Sequence, residues 1–242
     1  MTWDIDLRKH LQHRDRSFDL HVVCRSTSTR LVLFGPSGVG KSQTLKMIAG
    51  LVKPDAGHVW LGGDVLYDSS ARIDLSPQAR RLAYVFQDYA LFPHLSVAQN
   101  VAFALKTGWR NPSRGLSRTA EHPEVERWLH AFDLETVRHL YPEQLSGGQR
   151  QRTALARALV VKPRALLLDE PFAALDKALR QRLRAELAEL QASLNIPMLL
   201  ITHDEDDVKM LGDDVVHLAA GRVVADANAD VVDDDAPSLE TR

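Results

Sequence analysis

A single cysteine, Cys24, in 242 residues leaves no possibility of an internal disulfide or of a cysteine-based zinc centre. It lies in an apolar stretch, where a buried thiol is expected rather than a reactive one. No apolar run approaches the roughly 18 residues of a membrane-spanning helix, and Met1-Thr2-Trp3-Asp4-Ile5-Asp6 lacks the basic-then-apolar order of a secretory leader. The expected compartment is therefore the cytoplasm. An excess of one charge is also missing: the net charge of −2 gives no global case for nucleic-acid binding, although a local basic face stays open. What is present, a 45% hydrophobic content, is ordinary for a soluble globular chain of one large or two modest domains.

Against that unremarkable background one stretch is specific. Gly35 to Ser42 reads Gly-Pro-Ser-Gly-Val-Gly-Lys-Ser and fits G-x-x-x-x-G-K-[ST] at every fixed position. Leu31-Val32-Leu33-Phe34 before it has the composition of a strand, and Gln43 to Ala49 after it reads as a helix, which is the context the motif requires. Glycines at 35, 38 and 40 let backbone N–H groups approach phosphate oxygens. The anion then rests on a helix N-terminus, with Lys41 in reach of the β and γ phosphates and the Ser42 hydroxyl able to ligate Mg²⁺.

The rest of the chain supplies further polar groups at the ends of apolar runs. Trp3 to Leu7 and Phe18 to Val23 predict an antiparallel hairpin whose strands are separated by polar Arg8 to Ser17. His58 to Leu61 and Val65 to Tyr67 predict two more strands around a turn at Gly62-Gly63-Asp64. Arg80 to Phe86 has strand composition and delivers Gln87, which read alone is either a solvated loop residue or a group facing a ligand. Ser96 and Gln99 predict a capped helix. Thr107 to Glu121 reads as a loop, and Val125, Trp128, Leu129 and Phe132 mark a helix facing the core. Ser146-Gly147-Gly148-Gln149 precedes a helix, and Ser146 there is either an N-cap or a contact to a phosphate brought from outside.

Ala165 to Leu168 is a continuous apolar run, as in a strand buried on both faces, and it ends in Asp169-Glu170. In an open α/β sheet ligands collect at the carboxyl ends of strands, so Asp169 can hold Mg²⁺ and Glu170 can polarise a water, unless the pair merely caps a turn. Asp176 opens a helix with a leucine stripe at 179, 183, 187, 190 and 194, expected to carry its Arg and Glu on the other faces. Met198 to Ile201 predicts another buried strand leading to His203, followed by an acidic helix start at Asp204 to Asp207. Val215 to Leu218 and Arg222 to Ala225 predict a last hairpin, and the acidic residues 226–242 a fraying tail.

The ordered set Gly35 to Ser42, Gln87, Leu145-Ser-Gly-Gly-Gln149, Leu166 to Glu170, Ala174-Leu-Asp176 and His203 resembles the nucleotide-binding subunit of ATP-binding-cassette transporters over essentially the whole chain. The resemblance implies an α/β fold: a P-loop NTPase core with an antiparallel β subdomain over 1–87 and 161–225, an inserted α-helical subdomain over 88–160, and the tail. It implies ATP and Mg²⁺ as ligands and a head-to-tail pair of chains. Gly35, Pro36, Ser37, Gly38, Val39, Gly40, Lys41, Ser42 and Gln43 of one chain and Ser146, Gly147, Gly148 and Gln149 of the other would grip one γ-phosphate. Ser42, Asp169 and Gln87 would serve the metal, Glu170 the nucleophile, His203 the γ-phosphate and Glu170, and Asp176 the link between the two sites. Lys41 would stabilise phosphoryl charge.

Arg80 to Gln87 with Leu91-Phe-Pro-His94 resembles importers fed by a solute-binding protein, and with Asn195 to Met198 is most similar to molybdate importers; sulfate, ferric-iron and polyamine importers share much of it. The implied partners are a second copy, membrane permease subunits and, indirectly, the solute-binding protein, with the chain on the cytoplasmic face of the inner membrane and no nucleic acid. Two features depart from the pattern. The neighbourhood where the family stacks adenine on an aromatic holds Leu11, Gln12 and His13, which leaves His13 or Phe18 for that contact, and the chain has no room for a C-terminal regulatory β-domain, so direct feedback by solute is not expected. The competing readings are a cassette ATPase acting on nucleic acid or the ribosome and a nonhydrolytic scaffold; the first usually has two cassettes or a coiled-coil insert, and the second would lack Glu170 or His203.

Overall fold

The computed structural model describes residues 1–13, 16–105, 119–173 and 175–224, and of His13 and Arg16 the backbone alone. The expected loop at 107–121, except for its last three residues, and the tail at 226–242 lie outside the described residues. Among the described residues eleven strands form one sheet in the order β6-β5-β4-β1-β2-β11-β10-β3-β9-β8-β7. They are β1 (Trp3–His13), β2 (Arg16–Ser26), β3 (Arg30–Phe34), β4 (Ala56–Leu61), β5 (Asp64–Asp68), β6 (Ile73–Asp74), β7 (Leu82–Val85), β8 (Ala165–Asp169), β9 (Met198–Thr202), β10 (Asp214–Ala219) and β11 (Arg222–Val224). Strands β10, β3, β9, β8 and β7 pair in parallel, while β2, β1, β4, β5 and β6 are antiparallel.

Strand periodicity explains how the parallel half acquires two cores. Val32, Leu166, Leu168 and Leu200 point to one face, into a cluster shared with the helices α3 (Val97–Phe103), α4 (Pro123–Ala131), α5 (Gly147–Leu159), α6 (Lys177–Leu194) and α7 (Glu205–Leu211). Leu31, Leu33, Leu167, Leu199 and Ile201 point to the other, against α1 (Lys41–Ile48) and the inner face of β1, β2 and β4. With both faces covered, β8 and β9 are apolar along their length, which is why continuous runs rather than alternation mark them. The capping box expected at Ser96 is present, with Ser96 accepting from Gln99 N, and Ser146, read as either a cap or a phosphate contact, also caps its helix by accepting from Gln149 N.

Several elements differ from the sequence reading. The first hairpin is far longer than its two apolar segments, since Arg8 to His13 and Arg16-Ser17 continue the ladder, with Lys9 Nζ held by Asp55 Oδ1 at 2.6 Å. Polar side chains there face solvent on a strand whose backbone is already paired. The strand expected from Arg80 begins only at Leu82. Pro77–Arg80 is instead a short helix, α2, capped by Ser76 and ended by left-handed Arg81. Arg80 is fully buried because its guanidinium donates to the carbonyls of Met47 and Ile48 at the end of α1.

Cys24 is buried as expected, and burial first, with Asp214 and Asp4 adding, pushes its thiol up to about 12. The thiolate is the reactive form. At pH 8 a disulfide reagent should therefore label less than about one tenth of native protein over the time that labels it fully in denaturant; rapid native labelling would contradict this burial.

Candidate functional site

The carboxyl ends of β3, β8 and β9 lie side by side, so the phosphate-type loop after β3, Asp169-Glu170 after β8 and His203 after β9 are brought together by topology alone. The loop turns into α1 at Gly40, whose φ of 102° is left-handed, and a Cβ there would stand 2.4 Å from Leu20 Cδ1. Glycine is required on both counts. α1 has no side-chain cap, which leaves its first N–H groups aimed at the loop.

Lys41 is almost fully buried, with its amine donating to the carbonyls of Gly35 at 2.7 Å and Pro36 at 2.9 Å and lying 3.6 Å from Glu170 Oε1. The buried cation is compensated by its own loop and one carboxylate. Ser42 Oγ donates to Asp169 Oδ1 at 2.8 Å, and Tyr84 donates its hydroxyl to Asp169 Oδ2 at the same distance. Burial, then the Asp169 charge, raises the Tyr84 pKa well above its ordinary value, so that hydroxyl stays a donor. Glu170 Oε2 is 3.3 Å from His203 Nδ1. Glu170 has a φ of 45°, a left-handed conformation that costs a non-glycine residue on the order of 1 kcal/mol. Its N–H donates to Ile201 O, which ties the strained residue to β9.

A cavity of about 450 Å³ opens beside these groups, lined by Ser37, Gly38, Gly40, Lys41, Ser42, Gln43, Gln87 and Glu170 together with Leu11 and Phe18. Its polar lining suits phosphates, and its two apolar side chains suit a planar base. Leu11 and Phe18 are directly paired across β1 and β2, and Phe18, one of the two residues considered for the base, lines the cavity; the side chain of the other, His13, lies outside the described residues. Among the described residues no cluster of three or more His, Cys, Asp or Glu could hold a metal. A hydroxyl and a carboxylate 2.8 Å apart beside a phosphate cradle nevertheless fit Mg²⁺, which takes one or two protein oxygens and completes its shell with phosphate and water.

Ser146 to Gln149 do not line this cavity. Ser146 and Gln149 cap their own helix reciprocally, and Ser146 is exposed. A Cβ on Gly147 would come within 2.9 Å of Leu175 Cδ2, so the segment is pressed onto the residue before Asp176. Asp176 caps α6 by accepting from Leu179 N at 3.0 Å and stays exposed; its neighbour Ala174 lies outside the described residues. Of these groups only Ser146 and Asp176 are exposed.

Tyr84 and a buried network under His203 escaped the sequence reading. Arg184, expected on the solvent side of α6, is buried, bonds Asp207 and donates to Asp204 Oδ2 at 2.6 Å; Arg180 donates to the same oxygen at 2.9 Å. Thr202 donates to Asp207 and accepts from Asp204 N, so both neighbours of His203 are pinned. Burial pushes the Asp207 carboxyl up against the pull of Thr202 and Arg184. The acidic turn is thus more than a complement to the helix dipole. Its one sequence signal was an arginine interrupting the apolar side of a leucine stripe.

A family model described as ABC transporter matches residues 22–173. The chain is 43% identical, over 84% of its length and 80% of that protein, to the probable sulfate/thiosulfate import ATP-binding protein CysA of Chlorella vulgaris. It is 46% identical to the sulfate/thiosulfate import ATP-binding protein CysA of Caulobacter vibrioides over 84% of this chain, and 39% identical to the molybdenum import ATP-binding protein ModC of Paramagnetospirillum magneticum over 92%. The chain spans somewhat over half the length of those last two, 58% of each. A solved dimeric ATP-binding cassette in a post-hydrolysis state with ADP and phosphate superposes with a TM-score of 0.73 at 28% identity, covering 92% of this chain and 96% of the other.

Proposed function

Since the chain belongs to the ABC transporter family, we propose that it is the ATP-hydrolysing subunit of an importer, working as a head-to-tail pair on a membrane permease that takes in a tetrahedral oxyanion. The observation that carries this reading is the meeting of Lys41, Ser42, Glu170 and Gln87 at one cavity, with Asp169 bonded to Ser42 and His203 beside Glu170.

Phosphoryl transfer needs positioning and charge stabilisation more than covalent chemistry. Backbone N–H groups of residues 38–42 and the Lys41 amine hold the β and γ phosphates, Lys41 leaving the carbonyls of Gly35 and Pro36 for phosphate oxygens. Ser42 and Asp169, with Gln87 beside them, would hold Mg²⁺, which would supply charge neutralisation for the phosphates. Glu170 accepts the proton of the water that attacks the γ-phosphorus as the bond to the bridging oxygen breaks and ADP leaves, and His203 holds the Glu170 carboxylate in line. Ser146, Gly147 and Gly148 of the second chain close the site over the same phosphate, with Asp176 at the seam. Phe18 and Leu11 give the base an apolar seat.

The permease contact is a groove of about 380 Å³ between the end of β7 and the helical layer, lined by Tyr84, Phe86, Phe92, Phe103 and Val161. Its apolar walls suit a short amphipathic helix of a membrane subunit. No helix of the described residues is long and apolar enough to cross a membrane. Of the oxyanions, sulfate and thiosulfate have the support of two of the relatives named above and molybdate of one. The narrower molybdate reading therefore widens to this chemical class. The test is uptake of radiolabelled sulfate and molybdate by cells of the source organism with and without the chain, beside capture of its membrane partner in detergent. Loss of either uptake on deletion is expected; unchanged uptake of both, with stimulation of hydrolysis by RNA or DNA, would overturn the proposal.

A further inference from the structure

The segment that presents Gln87 is held in an unfavourable shape by one residue of a distant helix. Gln87 and Asp88 are the middle of a turn closed by Tyr89 N donating to Phe86 O at 2.9 Å. Tyr89 and Ala90, which follow, have φ values of 62° and 42°, two successive left-handed residues neither of which is glycine. Side chains with a Cβ resist that conformation, so something outside the turn must hold it. Asp88 accepts from Ala90 N at 3.2 Å, a local contact available to any Asp before a turn.

The external holder is Arg157 on α5. Its Nη2 donates to Tyr89 O at 2.7 Å and its Nη1 to Ala90 O at 2.8 Å, so the planar fork spans the two left-handed residues. Burial lowers its pKa, and among the described residues no carboxylate pairs with it directly. The guanidinium also lies 5.5 Å from the ring of Phe92, a wall of the apolar groove. On the other side Tyr89 donates its hydroxyl to Pro171 O at 3.3 Å, the residue after Glu170. The turn is therefore clamped between α5, the groove and the strand end that carries the two carboxylates.

We infer that Arg157 is a positioning residue for Gln87: by bridging the Tyr89 and Ala90 carbonyls it keeps Gln87 at the phosphate cavity, and it joins that turn to the groove wall at Phe92. The inference rests on the ATPase reading above. Four purified proteins form the test: wild type, Arg157→Ala, Gln87→Ala and the double variant, compared by steady-state ATP hydrolysis and by binding of a fluorescent ATP analogue. Arg157→Ala should lower kcat on the order of tenfold, as misplacement of one group does, with analogue affinity within about twofold. In the Gln87→Ala background the same change should have less than about a twofold effect, because the group it positions is gone. Adding Ala90→Gly to Arg157→Ala should return kcat to within about threefold of wild type, since glycine takes the left-handed shape unaided.

Equal losses in both backgrounds, or no recovery with glycine at 90, would overturn the inference in favour of a merely structural arginine. Should Arg157→Ala fail to fold by circular dichroism, Arg157→Lys carries the same cycle, because an ammonium keeps the charge but lacks the planar fork that spans two carbonyls. A wild-type chain without ATPase activity would overturn the functional reading and the inference together, whereas an active one with additive losses overturns the inference alone.

Discussion

Glu170→Gln will lower kcat for ATP hydrolysis on the order of a thousandfold while leaving nucleotide affinity within about threefold of wild type. The substitution keeps the shape and one acceptor oxygen, so the left-handed backbone at 170 and its N–H bond to Ile201 are retained. What disappears is the charge proposed to take the proton from water, and with it the ion pair at 3.6 Å to Lys41. Phosphate binding loses nothing, because the amine of Lys41 gains freedom to turn toward phosphate once that carboxylate is neutral. Single-turnover hydrolysis and equilibrium binding of labelled ATP on the same sample separate the two effects. A variant with near-normal turnover would remove Glu170 from the mechanism and leave His203, 3.3 Å from it, without a role there.

The parts of this site that were legible in the sequence are those fixed by local rules. The loop at Gly35 to Ser42 declares itself because phosphate approach requires glycine at set intervals, and β8 and β9 declare themselves because a strand buried on both faces has no polar residue until it ends at the ligand. Ser96 was legible as a cap because a capping box spans four residues, whereas Ser146 was legible only as a cap or a phosphate contact. Arg80, Tyr84, Arg184 and Asp207 were not, since each is made tolerable in the interior by a partner in another element: Met47 and Ile48, Asp169, Asp204 and Asp207, and Arg184 with Thr202. A buried polar residue looks like a surface residue in sequence, because the long-range bond that satisfies it has no signature in its own segment. The polar half of the first hairpin was missed for the converse reason, that a paired strand with both faces wet has no alternation to read.

Fold and site also divide the strain sensibly. Of the left-handed residues, Glu170 lines the cavity and Tyr89 and Ala90 follow Gln87, which also lines it, and each of the three is over-determined, Glu170 by β9 and the other two by Arg157. Conformations of this cost persist only where several contacts agree on them. β8 fixes Asp169 and the first turn of α1 fixes Ser42, while Gln87, Glu170 and His203 sit on the connections that follow β7, β8 and β9.

The second large effect tests the proposal that half of the site comes from a second chain. Ser146 and its glycines do not line the chain's own Lys41 cavity, so their proposed ligand is a phosphate held by another copy. Lys41→Ala removes a charge from the phosphate cradle, and Ser146→Glu places a negative charge against the partner's phosphate at an exposed helix N-terminus that tolerates acidic residues. Each variant alone should lose on the order of a hundredfold in hydrolysis, the scale of one missing stabilising group. Mixed in equal amounts, half of the randomly formed pairs would join one of each, and each such pair would contain one site built from an intact cradle and an intact signature. About one quarter of the wild-type sites is then restored, and the mixture should hydrolyse ATP far faster than either component. If each chain carried a complete site of its own, Ser146→Glu would stay active alone. If the paired arrangement were wrong in another way, mixing would restore nothing at any ratio. Measuring hydrolysis across the mixing series distinguishes these cases, because a composite site gives a maximum near equal proportions and independent sites give a straight line.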